Sequence, residues 1–148
     1  MVTFLITRKA NVNQADPCQG FTALHRASDL GNVPMMELLI SKGAKHDMRD
    51  KFGCFPLQNA AYHGHKEAVA CLLDHGADIN VCYYSGNTPL MTAAVHCQFK
   101  AVKFLVLKGA DLNAANYEGW THRGHCDVVN FLVRSGSRFE LYGTAMRK

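Results

Sequence analysis

The sequence predicts an all-α protein built as a solenoid of helix pairs, with hairpin loops joining one pair to the next. Three observations predict it. A glycine recurs every 33 residues, at Gly20, Gly53, Gly86 and Gly119. A second series follows in register at Gly43, Gly76 and Gly109, and reappears six residues early at Gly136. Between the two series, small residues and then large apolar residues return at matching offsets. A fixed period of a few tens of residues marks a chain of stacked units, each unable to bury its apolar face alone.

The elements follow in order within each unit. Thr22 and Thr88 precede short runs of helix-forming residues and can accept a bond from a free first-turn amide. Pro56 and Pro89 come next in their units, at the first helical position, where the missing N–H costs nothing. Unit two has Phe55 at the cap, so its helix start is expected to be the weaker one. Small pairs then recur at Ala27/Ser28, Ala60/Ala61 and Ala93/Ala94, where a first helix must approach its neighbours closely. The second helix carries Leu38/Leu39/Ile40, Cys71/Leu72/Leu73, Phe104/Leu105/Val106 and Phe131/Leu132/Val133. Each such side chain contributes roughly 1.5–3 kcal/mol on burial, so these triplets are expected to dominate stability. Gly43, Gly76 and Gly109 end the second helices in a left-handed conformation.

Aligned, the units read TALHRASDLGNV, FPLQNAAYHGHK and TPLMTAAVHCQF through the first helix, with GADIN and GADLN closing units two and three. These resemble ankyrin repeats, whose pattern runs G-x-T-P-L-H-x-A-A-x-x-G-H, an apolar helix, then G-A-D-V-N, with a period of 33. The resemblance covers about residues 2 to 137. It implies that His25 bonds backbone between repeats, and that of its equivalents, Gln58 and Met91, only Gln58 could keep that bond. It also implies that Gly31 and Gly64 turn the chain between paired helices. Cys97 stands there in unit three, at a cost of about 1 kcal/mol.

The units divide the chain into a partial leading repeat (1–15, second helix only), repeat one (16–48), repeat two (49–81), repeat three (82–114), a degenerate fourth repeat (115–141) and a tail (142–148). One extra residue between Asn13 and Gly20 predicts a longer first hairpin. After Gly119-Trp120-Thr121 the chain runs directly into His122-Arg123-Gly124-His125, six residues short, so no ordinary first helix is expected there. Three intact repeats are about the minimum for a stable stack. Neither end reads as a polar cap, so the chain is expected to be a segment or shortened form of a longer protein.

Composition excludes several classes. Sixteen basic and 12 acidic residues give a net charge of +4, and the charges form no runs, so nucleic acid is an unlikely partner. No apolar stretch approaches a membrane span and no signal peptide is expected. Six cysteines without a C-x-x-C pair fit reduced thiols in the cytoplasm or nucleus. His63-Gly64-His65 and the His122–Cys126 stretch are the tightest metal-like groups, but the repeat's own G-H step accounts for half of each. No metal site, cofactor or small-molecule substrate is expected. No nucleophile elbow, zinc-protease motif or phosphate loop appears, so the protein is expected not to be an enzyme.

What remains is a binding surface for another protein. Ankyrin resemblance places partner contacts beside the hairpin glycine and near the helix–helix turn. That selects Phe21, Asp29 and Leu30; Lys51, Phe52, Tyr62 and His63; Tyr84, Asn87 and His96; and Tyr117 and Trp120. Aromatics dominate the set, and they are the residues most enriched at interface hot spots. Some are expected to pack between hairpins; the stripe as a whole reads as a binding surface. The module is expected to act as an adaptor, or as the substrate-recruiting or regulatory segment of a larger protein such as a ubiquitin-ligase receptor or an enzyme or channel regulator. The resemblance also implies hydroxylation of Asn80 and Asn113, each with leucine eight residues earlier, at Leu72 and Leu105.

Overall fold

The computed structural model describes residues 10–118. These form six helices: α1 (Ala23–Asp29), α2 (Val33–Ser41), α3 (Pro56–Tyr62), α4 (Lys66–Asp74), α5 (Pro89–Val95) and α6 (Phe99–Leu107). The first helices pack in one row, α1 on α3 on α5, and the second helices in another, α2 on α4 on α6. Each pair also packs internally, so the expected all-α solenoid is what forms. Among the described residues no strand forms, and each hairpin is closed by a pair of backbone bonds, such as Asp50 N–H to Cys54 O and Gly53 N–H to Asp50 O. The leading helix, the fourth-repeat helices and the tail expected from the sequence lie outside the described residues.

Local chemistry places the helix starts. Thr22 Oγ1 accepts from the His25 N–H at 3.4 Å, and Thr88 Oγ1 from the Met91 N–H at 3.3 Å. Phe55 has no acceptor to offer, as expected. Gln58 supplies the reciprocal half instead, its Oε1 accepting from the Phe55 N–H at 3.1 Å. The first hairpin is longer by the one residue expected: the Asp16 N–H bonds Phe21 O, whereas the Asp50 N–H bonds Cys54 O.

The core is a set of columns with the repeat's own period. Leu24, Leu57 and Leu90 form one; Met36, Val69 and Val102 a second; Leu39, Leu72 and Leu105 a third. All nine are 0–2% exposed. This corrects the triplet expectation. Three consecutive helical positions point about 100° apart, so mainly the central residue of each triplet faces the core; among the flanking residues only Cys71 is also buried, and the others are half-buried. The small pairs at 27/28, 60/61 and 93/94 are all buried and let the first-helix row close up.

Polar side chains then stitch repeat to repeat. His25, fully buried, bonds Cys54 O through Nε2 at 3.2 Å while its Nδ1 accepts from the Thr22 N–H at 3.1 Å. That pair of bonds selects the Nε2–H tautomer. Gln58 keeps an inter-repeat bond, donating to Val81 O at 2.7 Å, six residues before the position that matches Cys54. A second stitch was not anticipated. His65 Nε2 donates to Asp29 O at 3.1 Å and Gln98 Nε2 to Tyr62 O at 3.0 Å, satisfying carbonyls at the ends of α1 and α3. The Gln98 amide explains Gly64: a Cβ there would stand 2.2 Å from its oxygen, and φ is +72°. Cys97, the matching residue in repeat three, takes the same left-handed conformation at φ +54° with a side chain.

Two predictions follow from these positions. Replacing Cys97 by Gly relieves the left-handed strain and raises the urea midpoint by the equivalent of about 0.5–1 kcal/mol. Burial holds the His25 imidazole below its ordinary value of 6.5, so the unfolded chain takes up the proton first as pH falls. The stability His25 confers is therefore full above about 6.5 and is lost as pH drops through the lower folded-state value. His25→Gln, which copies the working Gln58 geometry, is expected to flatten this part of the Tm–pH curve while keeping the neutral-pH Tm within a few degrees. An unchanged acid slope would assign that slope elsewhere.

Candidate functional site

The described residues among those selected from the sequence lie in two kinds of place, the hairpins and the C-terminal ends of the first helices. At the tips, successive hairpins lean on one another. The Lys51 N–H bonds Gln19 O at 2.9 Å, and the Lys51 ammonium donates to Pro17 O. The Tyr117 N–H bonds Ser85 O at 3.2 Å. The Asn87 amide donates to Tyr83 Oη at 2.8 Å and its oxygen accepts from Asn116 Nδ2 at 2.8 Å, joining the third hairpin to the chain beyond α6.

The tip glycines owe their identity to this stacking. A Cβ on Gly53 would lie 2.5 Å from the Tyr84 ring, and one on Gly86 would meet the Tyr117 backbone at 3.0 Å. Tyr84 and Tyr117 therefore cover glycines of the preceding hairpin with one side and meet solvent with the other. These two are among the aromatics that pack between hairpins. Phe21 is half-buried, stacked on His25 at 5.6 Å and covered by the Arg26 guanidinium at 4.6 Å.

At the helix ends the residues are tied across repeats. Asp29 Oδ1 pairs with His63 Nε2 at 3.1 Å and accepts from Asn59 Nδ2 at 3.4 Å. The Tyr62 ring lies 4.0 Å from that of His96 and 4.8 Å from that of His63. Leu30, by contrast, projects outward. The exposed large apolar groups among the described residues include Leu30 at 74%, Phe52 at 62%, Tyr62 at 46%, Tyr84 at 62%, Val95 at 49% and Tyr117 at 82%. Polar and ionic contacts hold the groups around them in place. Trp120 lies outside the described residues.

Burial pushes the Cys54 and Cys71 thiols up to about 11, the reverse of an activated nucleophile. The His63 and His65 rings, 5.9 Å apart, each spend Nε2 on Asp29. The His122–Cys126 stretch lies outside the described residues. One donor group was missed by the sequence reading: Glu37, Cys71 and His75, drawn from two repeats, bring their ligand atoms within 4.8 Å of one another. Asn80 Oδ1 accepts from the Asp111 N–H at 2.8 Å, closing the hairpin to the next repeat, whereas Asn113 is exposed. No described helix is long and apolar enough to cross a membrane.

Helix pairs stacked row on row at a fixed period define a repeat scaffold. A family model described as ankyrin repeats in three copies matches residues 35–116, and a single-repeat model matches residues 19–45. The chain belongs to the ankyrin repeat family, whose members generally mediate protein–protein interaction. It is 43% identical over 61 residues to the mouse (Mus musculus) ankyrin repeat and SAM domain-containing protein 6, covering 40% of this chain and 7% of that protein. It is 36% identical over 75 residues to human (Homo sapiens) protein phosphatase 1 regulatory subunit 27, covering 51% of this chain and 48% of that protein. Over 81 residues it is 30% identical to the Arabidopsis thaliana E3 ubiquitin-protein ligase KEG, covering 55% of this chain and 5% of that protein. The match thus spans less than half the length of each of these relatives.

The Tyr84–Gly53 contact yields a test. Gly53→Ala and Gly43→Ala both force a side chain onto positive φ, costing about 1 kcal/mol each, but only Gly53 has a neighbour in the way. Gly53→Ala is expected to cost more than Gly43→Ala in urea melts, and the excess to vanish in a Tyr84→Ala background. Equal costs in both backgrounds would mean the ring does not rest on the glycine.

Proposed function

We propose that this chain is a protein-interaction module, without catalysis of its own, that engages a partner protein through the face formed by its hairpin tips and first-helix ends. The observation that carries this reading is the exposed apolar set from Leu30 through Tyr62 and Tyr84 to Tyr117, on a scaffold whose core columns are filled by other residues. Aromatic groups that give up water on binding supply most of the affinity at such surfaces. Because Tyr62 and Tyr84 already rest on His96 and Gly53, little side-chain entropy remains to be lost when a partner closes over them.

The names of relatives favour a regulatory or recruiting setting. One is a phosphatase regulatory subunit, another an E3 ubiquitin-protein ligase, and a third, the human transient receptor potential cation channel subfamily A member 1, a channel. In each the ankyrin segment matches a part of a protein, which supports this chain's working as a substrate-recruiting or regulatory segment. We place it in the cytoplasm or nucleus, with the described cysteines as free thiols supporting that choice. Asn80 and Asn113 stay as proposed hydroxylation positions on their leucine spacing alone.

The double substitution Tyr62→Ala/Tyr84→Ala tests the face. Proximity labelling in cells identifies the partner, and its affinity for the purified chain is then measured by titration calorimetry. A drop of tenfold or more is expected at a temperature where both chains are fully folded, alongside a modest fall in Tm from the lost Tyr62–His96 and Tyr84–Gly53 packing. Leu107→Ala removes an equally exposed apolar group at the end of α6, off this face, and is expected to leave affinity unchanged. Equal affinity for the double variant and the parent would exclude this surface.

A further inference from the structure

Cys71 and His75 stand four residues apart at the end of α4 and so share one side of the helix. Glu37 reaches them from α2 of the preceding repeat. Cys71 Sγ is 3.5 Å from Glu37 Oε1, and His75 Nε2 is 3.7 Å from Glu37 Oε2. Ligands of a tetrahedral zinc ion, at about 2.3 Å for sulfur and 2.0–2.2 Å for nitrogen and oxygen, stand roughly 3.3–3.6 Å apart. Two of the three donor pairs are therefore almost at ligand spacing already, and the three ligand atoms all lie within 4.8 Å of one another.

The imidazole is also set for coordination. His75 Nδ1 donates to Cys71 O at 2.8 Å, which leaves the Nε2 lone pair facing the carboxylate. An outer hydrogen bond of this type orients histidines bound to metals. A proton on Nε2 makes this contact an ion pair, and a metal ion in its place would join the same two groups, 3.7 Å apart. The repeat does not demand these residues. At the next junction the matching positions are Ala70, Phe104 and Lys108, and in repeat one Cys71 and His75 correspond to Leu38 and Lys42. Without an ion, the thiol donates to Glu37 Oε1 and His75 pairs with Oε2, so one carboxylate gathers both groups.

We propose that Glu37, Cys71 and His75 form a Zn2+ site bridging repeats one and two, with a fourth position open to water or to a donor from another molecule. Glu37 and His75 side chains are 55% and 34% exposed, so an ion has access and the fourth position faces outward. The site would clamp α2 to α4 and make that junction's stability depend on available zinc. Burial and the Glu37 charge push the Cys71 thiol up to about 11, so binding near neutral pH expels its proton, and affinity rises with pH.

Co2+ is the probe. Titrated into the reduced full-length chain, it is expected to give a near-ultraviolet thiolate-to-cobalt charge-transfer band and the intense visible bands of tetrahedral cobalt, both bleached by Zn2+. Cys71→Ser is expected to abolish the charge-transfer band. Glu37→Gln and His75→Ala are expected to weaken binding beyond the ~10–100-fold typical of losing an outer-shell partner. Cys82→Ser and Cys126→Ser, which remove thiols elsewhere, are expected to keep the spectrum. Zn2+ should raise the Tm of the parent and leave that of Glu37→Gln unmoved. Absence of the thiolate band in the parent, as an ion pair alone would give, overturns the proposal. So does a band that survives Cys71→Ser. If Cys71→Ser fails to fold by circular dichroism, the two exposed substitutions decide: unchanged cobalt affinity in both overturns it.

Discussion

No helix described here is longer than nine residues, and the first helix of every pair has seven. Helices shorter than about 12–15 residues are marginal in water on their own. Each pair must therefore borrow its persistence from the pair beside it. The loan is made through the apolar columns at the Leu24, Met36 and Leu39 positions and their counterparts one period on. These columns can meet only because alanine or serine occupies the places where first helices touch. Packing between neighbours is thus prior to secondary structure in this chain, and every surface feature depends on it.

The junctions are similar in packing but not in chemistry. Between repeats one and two the stitches are His25 and His65, with Lys51 at the hairpin. Between repeats two and three they are Gln58 and Gln98, with aromatic stacking of Tyr62 on His96. Glutamine donates at any ordinary pH, whereas a histidine stitch depends on which ring nitrogen carries the proton. The first junction is consequently the one open to control by acid, and the donor group at Glu37, Cys71 and His75 lies across the same junction.

Much of this was legible in the sequence, for identifiable reasons. Turn glycines, Thr caps and alanine pairs are local demands, and a local demand repeated every 33 residues is visible in one dimension. The inward-facing column at Met36, Val69 and Val102 was readable too, being one turn before Leu39, Leu72 and Leu105, but the adjacent apolar triplets masked it. The contact of Tyr84 with Gly53 was not readable. It links residues 31 apart, two short of the period, and emerges only when one hairpin is laid against the next. Glu37 and Cys71 are hidden for the same reason, since a spacing of 34 between repeats has no motif to announce it.

The same offset explains why binding and stability cannot be separated cleanly on this face. Tyr84 and Tyr117 each close a glycine-lined gap with one edge and expose the other. Asp29 fixes His63 and Asn59 while its own backbone carbonyl holds His65 from the following repeat. A partner that contacts these groups meets side chains already immobilised by the stack, which lowers the ordering cost of binding. By linkage, that partner must also stabilise the stack, because it binds the docked rings and not the frayed ones. The hairpin tips are therefore where an ankyrin scaffold with short helices gains most from being occupied.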